Sequence, residues 1–443
     1  MPPSGFLVEL KDGTFKQRNP FTGTQVWTIP GRADRPIAMS KAAPVALNPA
    51  DMGHHCAFCS KRYLETPPEK SRIVQHAGNF EQRDGVSADE LTSTVAEFRR
   101  IPNLYEILSL DFWRENYGYE LPREVLERQR AYLESSTGRA HVAKLLVTKR
   151  NAPRVPAGPM HHTQSLPMVD DALAEASAGF FGGGHDVIVA RRHYVDGAKD
   201  DSELASSGTL TPDEHAAFMQ FTADAARNIV ELNPYARYAA VFQNWLRPAG
   251  ASFDHLHKQI VAIDEHGDQL TAEMQAVRRN LNVFNEVGPD FAAQRNLVIG
   301  ENHHAIAYAG FGHRYPTIEV FSKAAECEPW AHSPEAMRGV SDMVHAMHAA
   351  TGPDVPINEE WHYRPVDGDQ PQPWRIMMKW RVSTIAGFEG ATKIYLNTLS
   401  PASVVSRIVP ALKRLRDEGV VGPMQVGPEC RPVPNALRYA SRA

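Results

Sequence analysis

The sequence predicts an α+β fold in which two similar halves share one extended, mostly antiparallel sheet with helices packed on it. Three observations lead to this prediction. The composition, 42% hydrophobic and 22% charged over 443 residues, is typical of a globular chain with a large core. A strand–helix–strand–strand order then occurs twice, and each copy contains a clear signal for the start of its helix.

The first copy begins with the apolar segment 185–190, which predicts a strand. A helix is predicted to begin after Thr211, because threonine caps helices, Pro212 fits the first helical position and acidic residues follow. Strands are predicted at 238–242 and 255–263. This copy contains the candidate histidines.

The second copy has a predicted strand at 317–321 and a helix that begins after Ser333, with apolar residues at helical spacing. Strands are predicted near 357–363 and 374–384. The corresponding histidines are missing, so the second half is expected to be a degenerate copy.

Charge and hydropathy exclude several classes of function. The net charge of −5 and the absence of a long basic run argue against nucleic acid as a partner. No stretch approaches the roughly 18 apolar residues of a membrane span, and the amino terminus lacks the pattern of a secretory signal. We therefore expect a cytoplasmic protein without a membrane partner.

The cysteines are too few for a disulfide scaffold: Cys56, Cys59, Cys327 and Cys430. The pair Cys56 and Cys59 forms one Cys-x-x-Cys, which is typical of half a metal site or of a redox pair. A metal would need further ligands from elsewhere in the chain.

The segment around the two histidines is the strongest candidate for a catalytic site. Residues two apart in a strand share a face, so His255, His257 and Gln259 are expected to project together. The small residues 248–251 and the hydroxyl of Ser252 suit close contact with a phosphate. A half-exposed strand with incidental histidines, or a structural metal pair, is the alternative.

The segment Gly250-Ala-Ser-Phe-Asp-His-Leu-His-Lys-Gln259 resembles the Gly-x-Ser-x-x-His-Pro-His-Gly-Gln motif of galactose-1-phosphate uridylyltransferases and their relatives in the histidine triad superfamily. The spacing is identical, and Leu256 and Lys258 replace the proline and the glycine. The resemblance implies two histidine-triad-like halves and a nucleotidyltransferase.

The same resemblance implies a role for each polar residue of the segment. His257 would be the nucleophile that forms a covalent nucleotidyl-histidine, while Ser252 and Gln259 would hold phosphate oxygens and His255 would help bind zinc. Three further blocks of the chain are similar to the family. They supply the other candidate ligands.

Near the amino terminus, an Asn-Pro-x-Thr-Gly block is followed by Arg32 and Arg35, which the resemblance makes candidates for contacting nucleotide phosphates. Asn244 occupies the place of an asparagine near the phosphate or ribose. Asn103 similarly occupies a place that lines the base and ribose site. Otherwise the two arginines are solvated residues of a turn.

The block Cys56-Ala-Phe-Cys59 precedes a Thr-Pro-Pro-Glu sequence at 66–69, as in many family members. The resemblance implies a closed, structural zinc site with Cys56, Cys59, His193 and His255 as ligands. His193 comes one residue earlier after its strand than the matching histidine does in the family, so His54 and His55 stay alternatives for this ligand. A free cysteine pair without metal is the other possibility.

In the second half, Trp374 to Trp380 lacks the histidines that hold an additional metal in some family members, so that second metal site is expected to be absent. Lys393 matches the lysine of a segment that holds the hexose in the family, and it is our candidate substrate residue. The Gly-Tyr-Glu that follows in the family is missing here.

These parts predict four regions. Residues 1–108 would be an amino-terminal part of the first half that binds nucleotide and zinc, and 109–184 an insertion or lid with weaker order. Residues 185–300 would be the catalytic half. Residues 301–443 would be the degenerate second half with a carboxy-terminal tail.

The function predicted is a ping-pong nucleotidyl transfer from a nucleotide sugar of the UDP-hexose type to a sugar 1-phosphate, in a homodimer. A phosphorylase that acts on a nucleotide sugar or dinucleoside polyphosphate, with inorganic phosphate as acceptor, is the first alternative, and water as acceptor would make it a hydrolase. A zinc-stabilised nucleotide-binding protein without turnover is the last.

Overall fold

A computed structural model of the chain describes residues 5–30, 43–151 and 170–442. The strands are β1 Leu7–Glu9, β2 Phe15–Arg18, β3 Gln25–Thr28, β4 Ser71–His76, β5 Asn79–Asp84, β6 Ala96–Pro102, β7 His185–Ala190, β8 Tyr238–Trp245, β9 His257–Ile263, β10 Val298–Glu301, β11 Ala305–Ala309, β12 Thr317–Ser322, β13 Ile357–His362, β14 Arg375–Trp380, β15 Ile394–Leu396 and β16 Gln425–Val426. The helices are α1 Leu110–Tyr117, α2 Arg123–Glu134, α3 Ser136–Asn151, α4 Asp170–Ser177, α5 Gly179–Gly182, α6 Pro212–Leu232, α7 Gly267–Arg279, α8 Val283–Val287, α9 Pro289–Gln294, α10 Pro334–Thr351, α11 Gly387–Thr392 and α12 Pro401–Asp417.

Within the described residues, twelve strands form one sheet in the order β16-β10-β11-β12-β14-β13-β8-β9-β7-β6-β4-β5. All its strand pairs are antiparallel. The order is mirrored about the β13–β8 pair, because β14 and β12 follow β13 as β9 and β7 follow β8. The predicted α+β fold with two related halves on one extended antiparallel sheet is confirmed.

Both predicted helix starts are confirmed, and they show why the two halves fold alike. The side chain of Thr211 accepts from the amide of Glu214, and the side chain of Glu214 in turn accepts from the Thr211 amide. Ser333 caps α10 in the same way, through the amide of Ala336. Each cap satisfies amides that the first helical turn leaves without partners.

The strand that contains His257 begins later than the sequence predicts. Strand β9 begins at His257 rather than at His255, because 252–255 form bends that turn His255 away from the regular ladder. Leu256 still accepts a hydrogen bond from the Ala190 amide at 3.0 Å. His255 is therefore held next to the strand edge without belonging to the strand.

The two faces of the sheet have different surroundings. Lys258 of β9 lies 5.0 Å from the ring of Phe218 in α6, so this side chain points to the face that the helices cover. Neighbouring strand residues point to opposite faces. His257 and Gln259 consequently lie on the other face, which carries the candidate site.

The segment predicted to be an insertion with weaker order is helical in its described parts, α1 to α5. Its side chains Trp113, Val125, Tyr132 and Val142 are fully buried against the main core. Proline-rich residues 152–169 of the segment lie outside the described residues. Within the described ranges, every helix is too short or too polar to cross a lipid bilayer.

Candidate active site and metal centre

Four predicted metal ligands meet in one cluster. A tight turn, closed by the Cys59 amide donating to the Cys56 carbonyl at 3.1 Å, brings the two sulfurs within 3.8 Å of each other. The Nδ1 atoms of His193 and His255 lie 3.3 to 3.7 Å from both sulfurs. All four ligand atoms lie within 4.8 Å of one another.

These distances fit a tetrahedral zinc site. With Zn–S bonds of about 2.3 Å and Zn–N bonds of about 2.0 Å, tetrahedral angles give roughly 3.8 Å between sulfurs and roughly 3.5 Å between sulfur and nitrogen. His255 also donates from Nε2 to the Ala190 carbonyl at 2.7 Å, which leaves its Nδ1 unprotonated toward the cluster. With four protein ligands the site is closed, so the metal would be structural.

The two thiols of the cluster differ in acidity. The hydrogen bond between them is the largest cause: it raises the pKa of the Cys56 thiol and lowers the pKa of the Cys59 thiol. Zinc would displace the thiol protons, because the thiolate is the ligand form.

His257 presents a defined tautomer. Its Nδ1 lies 2.7 Å from the backbone carbonyl of His255, and because a carbonyl only accepts, Nδ1 must carry the proton. Burial lowers the pKa of His257 to about 4, although the hydrogen bond to the carbonyl opposes this shift. The ring is thus neutral, with a lone pair on Nε2.

Two polar residues lie beside this histidine on the same face. His185 of β7 accepts from the Ile107 amide at Nδ1, so its Nε2 carries a proton and donates to Gln259 Oε1 at 3.0 Å. The Nδ2 of Asn103 lies 3.5 Å from the same oxygen. With its oxygen occupied, Gln259 keeps its NH₂ group as a hydrogen-bond donor.

The predicted phosphate cradle is a loop with unusual backbone. Gly250 has a φ of 92° and Leu246 a φ of 67°, which turns the chain sharply between β8 and the histidines. Ser252 is exposed. Asn358 of β13 donates to the side-chain oxygen of Asn244 and to the Ala249 carbonyl, both at 2.7 Å, so the second half supports this loop.

Phe58 lies between the cluster of two cysteines and two histidines and the ring of His257. This residue separates the two cysteines, and its ring centroid lies 5.9 Å from the ring of His255 and 5.2 Å from that of His257. Phe253 packs on Phe58 at 4.7 Å. The aromatic pair covers one side of the His257 ring.

Three predicted site residues are not among the contacts described so far. Arg32 and Arg35 fall outside the described residues. Lys393 is exposed, has a φ of 56° and ends α11, next to the small sheet that β15 forms with β1 to β3. Its neighbour Tyr395 lines a large cavity.

His185, Asn358 and Phe58 contact the site residues, and the sequence did not predict them. Phe58 lies between the two cysteines that the motif marks as ligands, and the motif does not mark Phe58 itself. For the other two, no local motif marks the residue, because their positions depend on how β7 pairs with β9 and β13 with β8. Only the strand pairing reveals their contacts.

Removal of one thiol is expected to empty the metal centre. We predict that Cys59→Ala lowers bound zinc from about one per chain to near zero and lowers the melting temperature, since three ligands hold zinc poorly and its binding free energy supports the fold. Zinc content by inductively coupled plasma mass spectrometry and thermal unfolding measure both effects. Cys327→Ala, at a buried cysteine outside the cluster, is the matched control. Unchanged zinc in Cys59→Ala would contradict the assignment.

Two comparisons match most of the chain to known sequences. Residues 10–439 match the family model described as "Domain of unknown function (DUF4921)". The chain is 22% identical over 400 residues to an ADP-glucose phosphorylase of Arabidopsis thaliana. The matched region covers 88% of this chain and 90% of that relative.

Two solved structures from Arabidopsis thaliana have the same fold. One is an ADP-glucose phosphorylase with bound ADP-glucose, with 19% identity, a TM-score of 0.55 and coverage of 89% of this chain and 97% of the other. The second is a galt-like protein, with 18% identity, a TM-score of 0.53 and coverage of 89% and 98%. The resemblance to galactose-1-phosphate uridylyltransferase-like proteins is confirmed, and the chain belongs to the DUF4921 family.

Proposed function

We propose that the chain transfers a nucleotidyl group from a nucleotide sugar to a phosphate-bearing acceptor, through a covalent intermediate on His257. One observation carries the proposal: the Nδ1 proton of His257 is committed to the His255 carbonyl, which leaves a lone pair on Nε2. A neutral imidazole attacks phosphorus without first losing a proton.

In the first step, Nε2 of His257 would form a bond to the α-phosphorus while the bond to the bridging oxygen of the sugar phosphate breaks. The electron pair leaves with the sugar phosphate. In the second step an oxygen of the acceptor phosphate attacks the same phosphorus, and the electron pair of the N–P bond returns to Nε2. The protein is thereby regenerated, which gives ping-pong kinetics.

The remaining site residues would stabilise the phosphate. The NH₂ group of Gln259, whose side chain His185 holds in place, would donate to an oxygen of the transferred phosphate. Ser252 would donate its hydroxyl proton to the same phosphate. Asn244 and Asn103 would contact phosphate or ribose. We keep Arg32 and Arg35 as proposed partners of the phosphate charges.

The four cluster residues Cys56, Cys59, His193 and His255 would hold zinc, which supplies a rigid cross-link and no open coordination position. The backbone carbonyl of His255 accepts a hydrogen bond from the His257 ring, so holding His255 in place also orients the ring of His257. His255 is therefore a positioning residue for the nucleophile.

Two acceptors are candidates. A sugar 1-phosphate is implied by the motifs, with Lys393 as the residue that contacts the sugar. Inorganic phosphate is favoured by the relative named ADP-glucose phosphorylase. Incubation with UDP-glucose or ADP-glucose and either acceptor, followed by product analysis, separates them: a nucleoside diphosphate forms only with inorganic phosphate.

We further propose that the chain forms a homodimer, that it is cytoplasmic, and that its regions meet near residues 108, 184 and 300. Light scattering of the purified protein measures the first of these. A monomer at all concentrations would contradict it.

Loss of the Gln259 amide is expected to slow both chemical steps. We predict that Gln259→Ala lowers kcat by about 10²-fold, since removing one preorganised donor to a developing oxyanion costs on that order. Steady-state rates with a saturating donor measure the effect. Gln82→Ala, at an exposed glutamine of β5, is the control and should keep the full rate. An unchanged kcat in Gln259→Ala would remove this residue from the mechanism.

A further inference from the structure

The loop of residues 103–109, called the β6–α1 loop after the elements that it joins, contacts the sheet at His185, the first residue of β7. The Asn103 amide donates to the His185 carbonyl at 2.7 Å, and the Ile107 amide donates to the His185 ring at Nδ1 at 3.2 Å. His185 is only 2% exposed, whereas Tyr105 and Ile107 are 54% and 63% exposed. The loop is thus anchored on a buried ring while part of it stays open to solvent.

The amide of Ile107 determines which nitrogen of the His185 ring carries the proton. A backbone N–H only donates, so Nδ1 must accept, and the proton of a neutral ring then lies on Nε2. Burial lowers the pKa of His185, so the ring is neutral at neutral pH and has one donor and one acceptor nitrogen. Nε2 is therefore a hydrogen-bond donor.

This donor determines how the amide of Gln259 is oriented. Val187 lies opposite Gln259 in the β7–β9 pair, so His185 is a diagonal neighbour of Gln259 on the same face of the sheet. The Nε2 of His185 donates to Gln259 Oε1 at 3.0 Å. A glutamine amide has an oxygen on one side and an NH₂ group on the other, so this bond leaves the NH₂ group for a phosphate oxygen. In the reverse orientation the amide oxygen would face the phosphate and repel its charge.

Asn103 supports the same orientation from the β6–α1 loop. Its side-chain oxygen accepts from the Tyr105 amide at 2.9 Å, which fixes the direction of its NH₂ group. The Nδ2 atom lies 3.1 Å from His185 Nε2 and 3.5 Å from Gln259 Oε1. Because Nε2 already carries a proton, only the Gln259 oxygen of these two atoms can accept from Asn103. Both donors that orient the Gln259 amide are therefore held by contacts of the β6–α1 loop.

We propose that His185 is a positioning residue that couples the β6–α1 loop to the amide of Gln259. The Ile107 amide fixes the tautomer of His185, and this tautomer fixes the orientation of Gln259. The inference rests on the proposed function, in which Asn103 contacts phosphate or ribose and Gln259 contacts the transferred phosphate. A donor whose ribose holds the loop in place would thus also orient the amide for the chemical step.

Three substitutions of His185 separate the roles of its two ring nitrogens. His185→Gln places an amide nitrogen near the position of Nε2 and keeps a donor for Gln259. The shorter side chain in His185→Asn reaches only the position of Nδ1, and His185→Leu removes both polar atoms. The rate of adduct formation is followed by intact mass of the full-length protein with saturating ADP-glucose or UDP-glucose. His345→Leu, at an equally buried histidine of α10, is the matched control.

We expect His185→Leu and His185→Asn to lower the rate of adduct formation by about 10-fold, because an amide without its partner loses its alignment with the phosphate. His185→Gln should recover most of the rate, and His345→Leu should form the adduct as fast as wild type. Equal rates in His185→Leu and wild type would overturn the proposal. An equal loss in His185→Gln and His185→Leu would also overturn it, because the donor to Gln259 would then be irrelevant.

A double variant separates positioning from a general structural effect. If His185 acts through Gln259, its loss has no further effect once the amide is gone. The variant with both His185→Leu and Gln259→Ala should therefore form the adduct as fast as Gln259→Ala alone. A second decrease in the double variant, by the same factor as in the single one, would show a structural role and contradict the coupling.

The contribution of the β6–α1 loop is tested at a single backbone N–H. Ile107→Pro removes this group, whereas Ile107→Ala keeps it and shortens the same exposed side chain. We expect a severalfold lower rate of adduct formation in Ile107→Pro than in Ile107→Ala, and no difference between them when Gln259→Ala is also present. Equal rates in the two single variants would exclude the loop from the coupling.

Failure of this inference and failure of the proposed function give different results. If no nucleotide sugar forms an adduct with the wild-type protein, the proposed function fails and the positioning role of His185 fails with it. If the wild-type protein forms the adduct on His257 and His185→Leu forms it equally fast, only the positioning role fails.

Discussion

Replacing His257 with alanine is expected to lower the rate of nucleotidyl transfer by on the order of 10³-fold or more, because both covalent steps pass through its Nε2. The fold should survive, since the lost ring removes one hydrogen bond to the His255 carbonyl and leaves the metal ligands in place. Initial rates of exchange between labelled sugar phosphate and nucleotide sugar measure the effect.

The matched control is His303→Ala, which removes an exposed histidine from a loop of the second half. It should exchange label at the wild-type rate. Zinc content and melting temperature of His257→Ala should stay close to wild type, which shows that the activity loss is chemical. Exchange at the wild-type rate in His257→Ala would exclude the covalent mechanism.

The second large effect concerns stability rather than activity. On the helix-covered face, Lys258 donates to Glu359 at 2.5 Å, and both side chains are fully buried. Glu359 also accepts from His348 and Trp361, each at 2.7 Å. Burial alone would raise the pKa of Glu359, but Lys258 and His348 outweigh it and hold that pKa below its usual range.

We predict that Glu359→Gln lowers the free energy of unfolding by about 3–5 kcal/mol, because it leaves the Lys258 ammonium buried without its counter-charge. Urea unfolding of the purified variant measures this change. The double variant Lys258→Met with Glu359→Gln should recover part of the loss, since it removes the uncompensated charge. The pair joins β9 to β13, so it also fixes the two halves of the sheet to each other.

The control for this prediction is an ion pair of similar length on the surface. Arg123 and Glu127 lie 2.6 Å apart on α2 with side chains 91% and 54% exposed. Glu127→Gln should change the free energy of unfolding by less than about 1 kcal/mol. If Glu359→Gln were equally mild, the buried pair would not stabilise the fold.

The sequence predicted features whose signal is local. The spacing of Cys56 and Cys59 predicted that the two lie together on one turn, and the helix-cap signals predicted where α6 and α10 begin. The fourth Nδ1 or sulfur atom of the cluster belongs to His193, while the ring of His55 packs against the His193 ring with centroids 5.3 Å apart. Such features depend on a few neighbouring residues.

Features that depend on pairing between distant strands could not be predicted from the sequence. Lys258 and Glu359 are 101 residues apart in sequence, and nothing near either residue indicates its partner. The same holds for Asn358, which supports the cradle across the β13–β8 pair. The replacement of a motif glycine by Lys258 was visible, but its direction, away from His257, required the strand register.

The shift of the start of β9 has a similar cause. Alternation predicts a strand through His255. The His255 side chain instead contacts the Cys56 sulfur and the Ala190 carbonyl, and these contacts turn the residue out of the ladder. These contacts of the His255 side chain override the simple pattern of strand alternation at this position.

The most direct measurement is the intact mass of the full-length protein after brief incubation with nucleotide sugars, among them ADP-glucose and UDP-glucose. At least one donor should add the mass of a nucleotidyl group, with release of an equal amount of sugar phosphate. Peptide mapping should place that group on His257, and His257→Ala should stay unmodified. Tight donor binding with no mass increase for any nucleotide would contradict the central claim of a covalent nucleotidyl-histidine.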